Sequence, residues 1–178
     1  MALTRQWLPL ALIVPVIGLE LAVGNIHFLL ALAVIGGVRY PATWSFVLLT
    51  KVTPGIGLVW FVARREWRRL GIALGVTSLV VALSFAVAPD SWFAWGRSLT
   101  ANAVQQWPYP LFPIPLWGRL VLAGALVAWG APSDRRWTLL VGATLALPTL
   151  WPANLAMLAG LPLVVRRPTM LPLLRSRL

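Results

Sequence analysis

Long apolar runs separated by short polar segments make up almost the whole chain. The run over residues 70–88 is long enough to cross a bilayer as a helix, which takes about 20 residues. Shorter or interrupted runs cover residues 7–23, 25–38, 42–63, 116–131, 137–150 and 153–165. The pattern predicts an all-α, polytopic transmembrane helical protein. Because no repeat or linker divides the chain, we predict a single transmembrane domain over residues 1–178.

Composition agrees with a membrane protein and argues against several functions. Hydrophobic residues make up 60% of the chain and charged residues 11%, whereas a soluble domain has roughly 25% charged residues. The net charge of +11 comes from short arginine clusters between apolar runs, so we expect no nucleic-acid partner. With no cysteine, one histidine and four acidic residues, we expect neither a metal site nor a cofactor.

The basic residues predict how the runs are oriented in a cell membrane. Lys and Arg in short loops collect on the cytoplasmic side. The clusters are Arg5, Arg39, the four arginines within 64–69, Arg135 with Arg136, and the C-terminal group Arg166, Arg167, Arg175 and Arg177. If all of them are cytoplasmic, both termini are cytoplasmic, and the run over residues 42–63 begins and ends on the same side. Only Arg97 and Arg119 then lie outside, with Lys51 between.

The segment TKVTPG, at residues 50–55, interrupts that run with a lysine and a proline. Two half-helices of about ten residues, each roughly 15 Å long, can rise and return with this segment at the apex. We therefore predict a re-entrant half-helix hairpin around Lys51 and Pro54. Non-helical backbone at membrane depth needs protein or a wet cavity around it, which predicts a polar pocket at Lys51. A single kinked crossing is the alternative, and it places the arginines within 64–69 outside.

Polar side chains concentrate at Lys51 and in the segments that this topology places outside. The candidates for substrate binding are Lys51, Asn25, His27, Arg97, Gln105, Trp107 and Tyr109. Amides beside aromatic rings are typical of sugar recognition, and also of anchoring at the membrane interface. Glu20, near the outer end of the first run, is a weak candidate for a general base. Pairing of Glu20 with Lys51 or Arg97 is the simpler alternative.

Two stretches of the sequence resemble a known family. ELAVGNIHFLLALAV (20–34) and LLTKVTPGIGLVWFVARREWRRL (48–70) resemble the second half of glycosyltransferase family 87. The residues that match the family's helix start and its Lys-x-x-Pro element are Gly24, Asn25, Lys51, Thr53 and Pro54. His27 stands where a second amide is usual. The similarity is clear over about residues 19–99 and rests on hydropathy elsewhere.

The resemblance implies a GT-C fold and transfer of mannose from a polyprenyl-phosphate sugar to a lipid or glycan acceptor on the extracytoplasmic face. Lys51 then holds the donor phosphate, and Asn25 and His27 border the pocket. The family's catalytic acid lies on an outer loop of the first half, so no residue of this chain takes that role. The expected partners are membrane lipid, the sugar donor, and an N-terminal half or partner membrane chain.

Each of these roles has a simpler alternative. Lys51 can snorkel to an interface or pair with Glu20, although a charge at mid-membrane costs about 2.5 to 3.5 kcal/mol and is usually functional. Asn25 is a good helix N-cap, and an exposed interfacial His27 needs no partner. Two other functions also remain open: a small transporter or flippase with broken helices, and a non-catalytic or truncated membrane subunit.

Overall fold

The computed structural model describes residues 18, 22, 24–104, 114–148, 150 and 152–165, which contain helices and no strand. The α-helices are α1 (His27–Gly37), α2 (Trp44–Thr50), α3 (Val59–Ala63), α4 (Trp67–Val87), α5 (Pro89–Val104), α6 (Leu116–Gly130), α7 (Trp137–Leu145) and α8 (Leu161–Val165). Three 3₁₀ helices cover Pro41–Thr43, Thr53–Leu58 and Pro152–Gly160. The all-α prediction is confirmed for this part of the chain.

One helix among the described residues is long and apolar enough to cross a membrane. α4 has 21 residues, and only 6% of its most apolar stretch is buried inside the protein. The other apolar helices, α1 and α6 among them, have 10–17 residues, which is short of the roughly 20 that a crossing takes. α4 coincides with the run predicted over residues 70–88. The number of further crossings stays a prediction.

The core lies where α1 packs against α7 and the third 3₁₀ helix. Leu30 and Val34 of α1 meet Leu139 and Leu140 of α7 and Met157 of the 3₁₀ helix, and each of these side chains is at most 1% exposed. The second 3₁₀ helix, Thr53–Leu58, packs on α6 and α7. The hairpin is therefore enclosed by helices from both halves of the chain.

The chain reverses direction between α2 and α3. Trp44, at the start of α2, lies against Gly57 so closely that a Cβ on this glycine would collide with the indole. The rings of Trp44 and Phe61 meet edge to face, with their centroids 6.4 Å apart. Nearer the apex, Gly55 faces Leu48 in the same tight way. These contacts place the two arms side by side and antiparallel. Whether the reversal is a re-entrant hairpin or part of a kinked crossing in a membrane stays a prediction. The depth of the hairpin in a membrane stays a prediction.

α2 ends at Thr50, and the backbone leaves the helical conformation at Lys51. The Thr50 hydroxyl donates a hydrogen bond to the Phe46 carbonyl over 2.6 Å, and Lys51 follows in an extended conformation, with φ −144° and ψ 108°. Pro54 then falls in the first turn of the second 3₁₀ helix, where a missing N–H leaves no bond unmade. The proline starts the returning arm instead of bending a continuous helix.

Candidate functional site

The side chains of Lys51 and His27 meet between the hairpin apex and the first turn of α1. Lys51 Nζ lies 2.7 Å from His27 Nε2. A lysine ammonium has donors and no acceptor, so Nε2 accepts this bond and the neutral imidazole carries its proton on Nδ1. His27 is buried, with 3% exposure, whereas Lys51 is half-buried. The contact directs the ammonium while part of the lysine stays accessible.

This position of His27 corrects the alternative of an exposed interfacial histidine. His27 shares one face of α1 with Leu30, Ala31 and Val34, at the three- and four-residue spacing of a helix stripe. All three are fully buried, so this face is the core face. The imidazole therefore points inward, and Lys51 supplies a polar partner that the burial of a ring nitrogen requires.

Two further contacts hold α1 against the base of the hairpin. The Thr43 hydroxyl donates to the Ala33 carbonyl over 2.8 Å. The Trp44 indole fills the space over Gly37, where a Cβ would collide with it. With the Lys51–His27 bond at the other end, α1 and α2 are joined at both ends. Helix packing thus sets where the ammonium and the imidazole lie.

Thr53, two residues after Lys51, has an unusual hydroxyl. Its Oγ1 atom is buried and, within the described part of the chain, has no hydrogen-bond partner. Leaving a buried hydroxyl unpaired costs about 1–3 kcal/mol. Sequence reasoning counted Thr53 as a match to the family pattern but not as a site residue. The unpaired oxygen is the structural signal that adds it to the site.

Gly24 and Asn25 form the turn that leads into α1. Gly24 has φ +71°, a left-handed conformation that glycine adopts without steric cost. The helix begins at His27 with Ile26 at the N-cap position, and no side chain caps it. The explanation of Asn25 as an N-cap is therefore wrong. Asn25 is half-buried and lies two residues before His27.

Among the remaining candidates, Arg97 lies within the described residues and the other four do not. Glu20, Gln105, Trp107 and Tyr109 lie outside the described residues, so their roles stay predictions. Arg97 lies exposed on α5, a helix that packs chiefly against α4. No hydrogen bond or ion pair described here connects Arg97 with Lys51 or His27.

An open apolar groove begins close to the apex. Its volume is about 290 Å³, and its lining consists of Leu49, Val80, Ser84, Ser91, Trp92 and Trp95. Trp92 donates its indole N–H to the Ser84 hydroxyl over 3.1 Å and meets Trp95 edge to face at 5.3 Å. Trp92 and Trp95 lie three residues apart and share one face of α5. In the structure that face turns toward α4, and Leu49 closes the groove two residues before Lys51.

Arg119 has a role that sequence reasoning missed. The predicted topology places it on the outer side of the membrane, and the structure buries it inside the protein, with 6% exposure. Its guanidinium donates to the carbonyls of Leu145 at 3.1 Å, Leu147 at 2.7 Å and Pro148 at 2.8 Å. A cation at a helix C-terminus satisfies carbonyls that have no partner within the helix. Arg119 therefore fixes the end of α7 to α6, the two helices on which the hairpin packs.

The side chains of the assembled site have the chemistry that an anion needs. Across the described ranges, no three His, Cys, Asp or Glu side chains gather as a metal-binding group. The site consists of an ammonium directed by an imidazole, and a hydroxyl with no partner among the described residues. The ammonium and the hydroxyl suit the oxygens of a phosphate, which a lysine binds as a point charge.

The sequence matches a known protein family. A family model described as glycosyltransferase family 87 matches residues 1–176, well beyond the region of about residues 19–99 where the resemblance is clear. No curated protein and no solved structure matches the chain. That this chain corresponds to the second half of such enzymes stays a prediction. Members of this family are membrane-associated, in agreement with the apolar helix α4. The chain belongs to glycosyltransferase family 87.

Proposed function

We propose that this protein binds a polyprenyl-phosphate sugar through Lys51 and takes part in transferring the hexose to a hydroxyl of a lipid or glycan. By the family resemblance the hexose is mannose. In this proposal the chain is a multi-pass membrane protein with cytoplasmic termini, and transfer takes place on the extracytoplasmic face.

The observation that carries the proposal is the Lys51–His27 bond at the apex of a chain reversal. A cation inside an apolar region is costly and is usually functional, and the bond to His27 sets the direction of this one. A phosphate is an anion that such a directed ammonium can bind. The Thr53 hydroxyl, which has no hydrogen-bond partner among the described residues, lies two residues from Lys51 and can donate to a phosphate oxygen.

The proposed reaction is a direct displacement at the anomeric carbon. The acceptor oxygen forms a bond to this carbon as the bond to the donor phosphate breaks, which inverts the configuration. Polyprenyl phosphate leaves with the bonding electron pair, and Lys51 stabilises the charge that develops on it. The acceptor proton passes to a base, and we assign none of the described residues to that role.

The apolar groove gives additional support. It begins at Leu49 and is walled by α4 and α5, so an isoprenoid chain attached to a phosphate at Lys51 has an apolar surface beside it. Burial of apolar surface contributes about 25 cal/mol per Å². Lys51 and the groove would then bind the two ends of one amphipathic donor.

Photocrosslinking of a polyprenyl-phosphate analogue tests the donor site. Lys51→Met keeps the length of the side chain and removes the charge, and Arg39→Met removes one exposed cation beyond the far end of α1 as a control. We expect Lys51→Met to lose at least tenfold in crosslinking, because an ammonium–phosphate pair contributes about 1.5–3 kcal/mol, while Arg39→Met matches the wild type. Unchanged labelling of a folded Lys51→Met protein would remove the lysine from donor binding.

Proteoliposomes separate this function from the alternatives. A transporter or flippase would move the labelled lipid between leaflets without transfer of the sugar, and a non-catalytic subunit would not bind the donor. We expect donor binding by this chain and transfer of the labelled sugar to the acceptor, without movement of the intact donor between leaflets.

A further inference from the structure

A second charged region lies at the N-terminal end of α4, just after α3. We call it the basic face: Arg64, Arg65, Glu66, Arg68, Arg69, Asp134, Arg135 and Arg136. Arg64 connects its two segments by donating to the Ala131 carbonyl over 2.8 Å and pairing with Asp134 at 3.5 Å. Six arginines less two acids leave a net charge of +4 on this one surface.

Three of the six arginines of the basic face form ion pairs within it. Glu66 pairs with Arg64 at 2.7 Å and with Arg69 at 2.9 Å. Asp134 pairs with Arg136 at 3.1 Å as well as with Arg64. Both acids of the basic face are thus occupied.

The positive charge that remains comes from three exposed arginines. Arg65, Arg68 and Arg135 are exposed, and none of them joins an ion pair within the described ranges. Arg135 lies over the Trp129 ring, 4.2 Å from its centroid, so its guanidinium plane is already oriented. These cations offer the forked N–H groups that bind phosphate oxygens in pairs.

The surroundings of the basic face fit a lipid more closely than a soluble anion. It adjoins the first turn of α4, the one membrane-length helix among the described residues. Trp67 and Trp129 flank it and are 60% and 55% exposed, as aromatic residues at a membrane interface are. Farther along α4, Ile72 and Leu74 present an exposed apolar surface to which acyl chains can pack.

From these observations we propose that the basic face binds the headgroup of an anionic phospholipid, with Arg65 and Arg68 contacting the phosphate and the acyl chains lying along α4. Clusters of arginines next to a membrane helix attract anionic lipids by about 1 kcal/mol per residue. The site is separate from Lys51 and does not depend on the proposed transfer reaction. Its ligand belongs to the membrane and not to the substrate.

Native mass spectrometry of the full chain, released from micelles, measures the binding. The probes are phosphatidylglycerol and phosphatidylcholine with the same acyl chains, and soluble glycerol phosphate as a competitor. The test variant is Arg65→Asn with Arg68→Gln, because asparagine tolerates the φ of +56° at residue 65. This variant leaves every ion pair of the basic face intact.

Single substitutions provide a matched comparison. Arg68→Gln and Arg97→Gln each remove one exposed helical arginine, from the basic face and from α5 respectively. We expect the preference for phosphatidylglycerol to fall about fivefold in Arg68→Gln and roughly 25-fold in the double variant, and to stay unchanged in Arg97→Gln. If the double variant does not fold, the two single variants still decide the question.

Three results would overturn the proposal. An equal loss in Arg97→Gln would mean that the lipid responds to total charge and not to this surface. Unchanged preference in folded variants would mean that the basic face binds no headgroup. Displacement of the lipid by millimolar glycerol phosphate would mean that the surface binds a soluble phosphate.

Discussion

The hydrogen bond from Lys51 to His27 joins the two residues on which the proposed donor site depends. A buried imidazole that accepts from an ammonium holds the cation in one direction, and the same ring carries no charge that would repel it. His27 is in this account a positioning residue for Lys51 and not a second phosphate ligand.

Substitution of His27 by glutamine or leucine tests this role. His27→Gln keeps an oxygen that can accept from Lys51, whereas His27→Leu removes the acceptor at similar size. Since a hydrogen bond to a charged group contributes about 1.5–3 kcal/mol, we expect donor crosslinking to fall at least tenfold in His27→Leu and to be largely retained in His27→Gln. Equal losses in two folded variants would show that the imidazole contacts the donor directly.

Glu66 lies between α3 and α4, where the hairpin ends. Its carboxyl group makes the free energy of unfolding depend on pH. Burial raises the pKa of this carboxyl, but the hydrogen bond from Arg64 and the charges of Arg69 and Arg64 outweigh it, so the pKa lies below the ordinary value of 4.5. The carboxylate therefore stabilises the fold above pH 4.5, and this contribution is lost as the pH falls through the lowered pKa.

Thermal unfolding of Glu66→Gln at several pH values measures that contribution. We expect the variant to be less stable than the wild type at pH 7, by up to about 1 kcal/mol for partly exposed ion pairs. The difference should shrink as the pH falls below 4.5 and through the lowered pKa of Glu66. A difference that stays constant with pH would mean that the ionised carboxylate does not stabilise this turn.

At the scale of the elements, the hairpin depends on two glycines that accommodate Trp44. The indole is fully buried and occupies the space that a Cβ on Gly37 or Gly57 would need. Both glycines therefore set the distance between α1, α2 and the returning arm.

The glycines of α4 are not packed in this way. No atom lies within 4 Å of a Cβ built on Gly71 or Gly75. Their spacing is typical of packed membrane helices, yet no described helix packs there.

Gly57→Ala and Gly71→Ala form a matched pair of substitutions. Overpacking against the buried Trp44 ring should cost Gly57→Ala about 1–3 kcal/mol. Gly71→Ala, within an exposed helix, should be neutral or gain up to about 1 kcal/mol. The measurement is thermal unfolding in one detergent. A Gly57→Ala protein as stable as the wild type would contradict the tight packing of the hairpin arms.

The chain reversal at Lys51 followed from local signals that a sequence carries. Charge placement and the Lys-x-x-Pro spacing predicted it, because a helix breaker and loop charges act over a few residues. The partner of Lys51 did not follow, since residues 24 positions apart meet only through packing of α1 on α2. The contacts of Arg119 did not follow for the same reason, because its three carbonyl partners lie 26 to 29 residues farther along the chain. The explanation of Asn25 as an N-cap was wrong because the helix begins at His27, with Ile26 at the N-cap position.

At the scale of the whole molecule, the proposed topology puts the basic face in the cytoplasm and the start of α5 outside. The chain has no cysteine, so single-cysteine variants report one position each. Ser133, in the turn after α6, and Ser91, in α5, are both exposed. We expect a membrane-impermeant thiol reagent to label Ser91→Cys in intact cells and Ser133→Cys only after the membrane is opened. Labelling of both in intact cells would contradict this topology.

The central claim is that Lys51 binds the phosphate of a polyprenyl donor, and the chain offers a direct test because Lys51 is its single lysine. Quantitative mass spectrometry can follow amine acetylation at this residue in the folded protein as polyprenyl phosphate is added, with the same polyprenol lacking the phosphate as the control. We predict that polyprenyl phosphate slows acetylation of Lys51 at least tenfold and that the polyprenol does not. Equal rates with both lipids, or no slowing with either, would contradict the assignment of Lys51 to the donor phosphate.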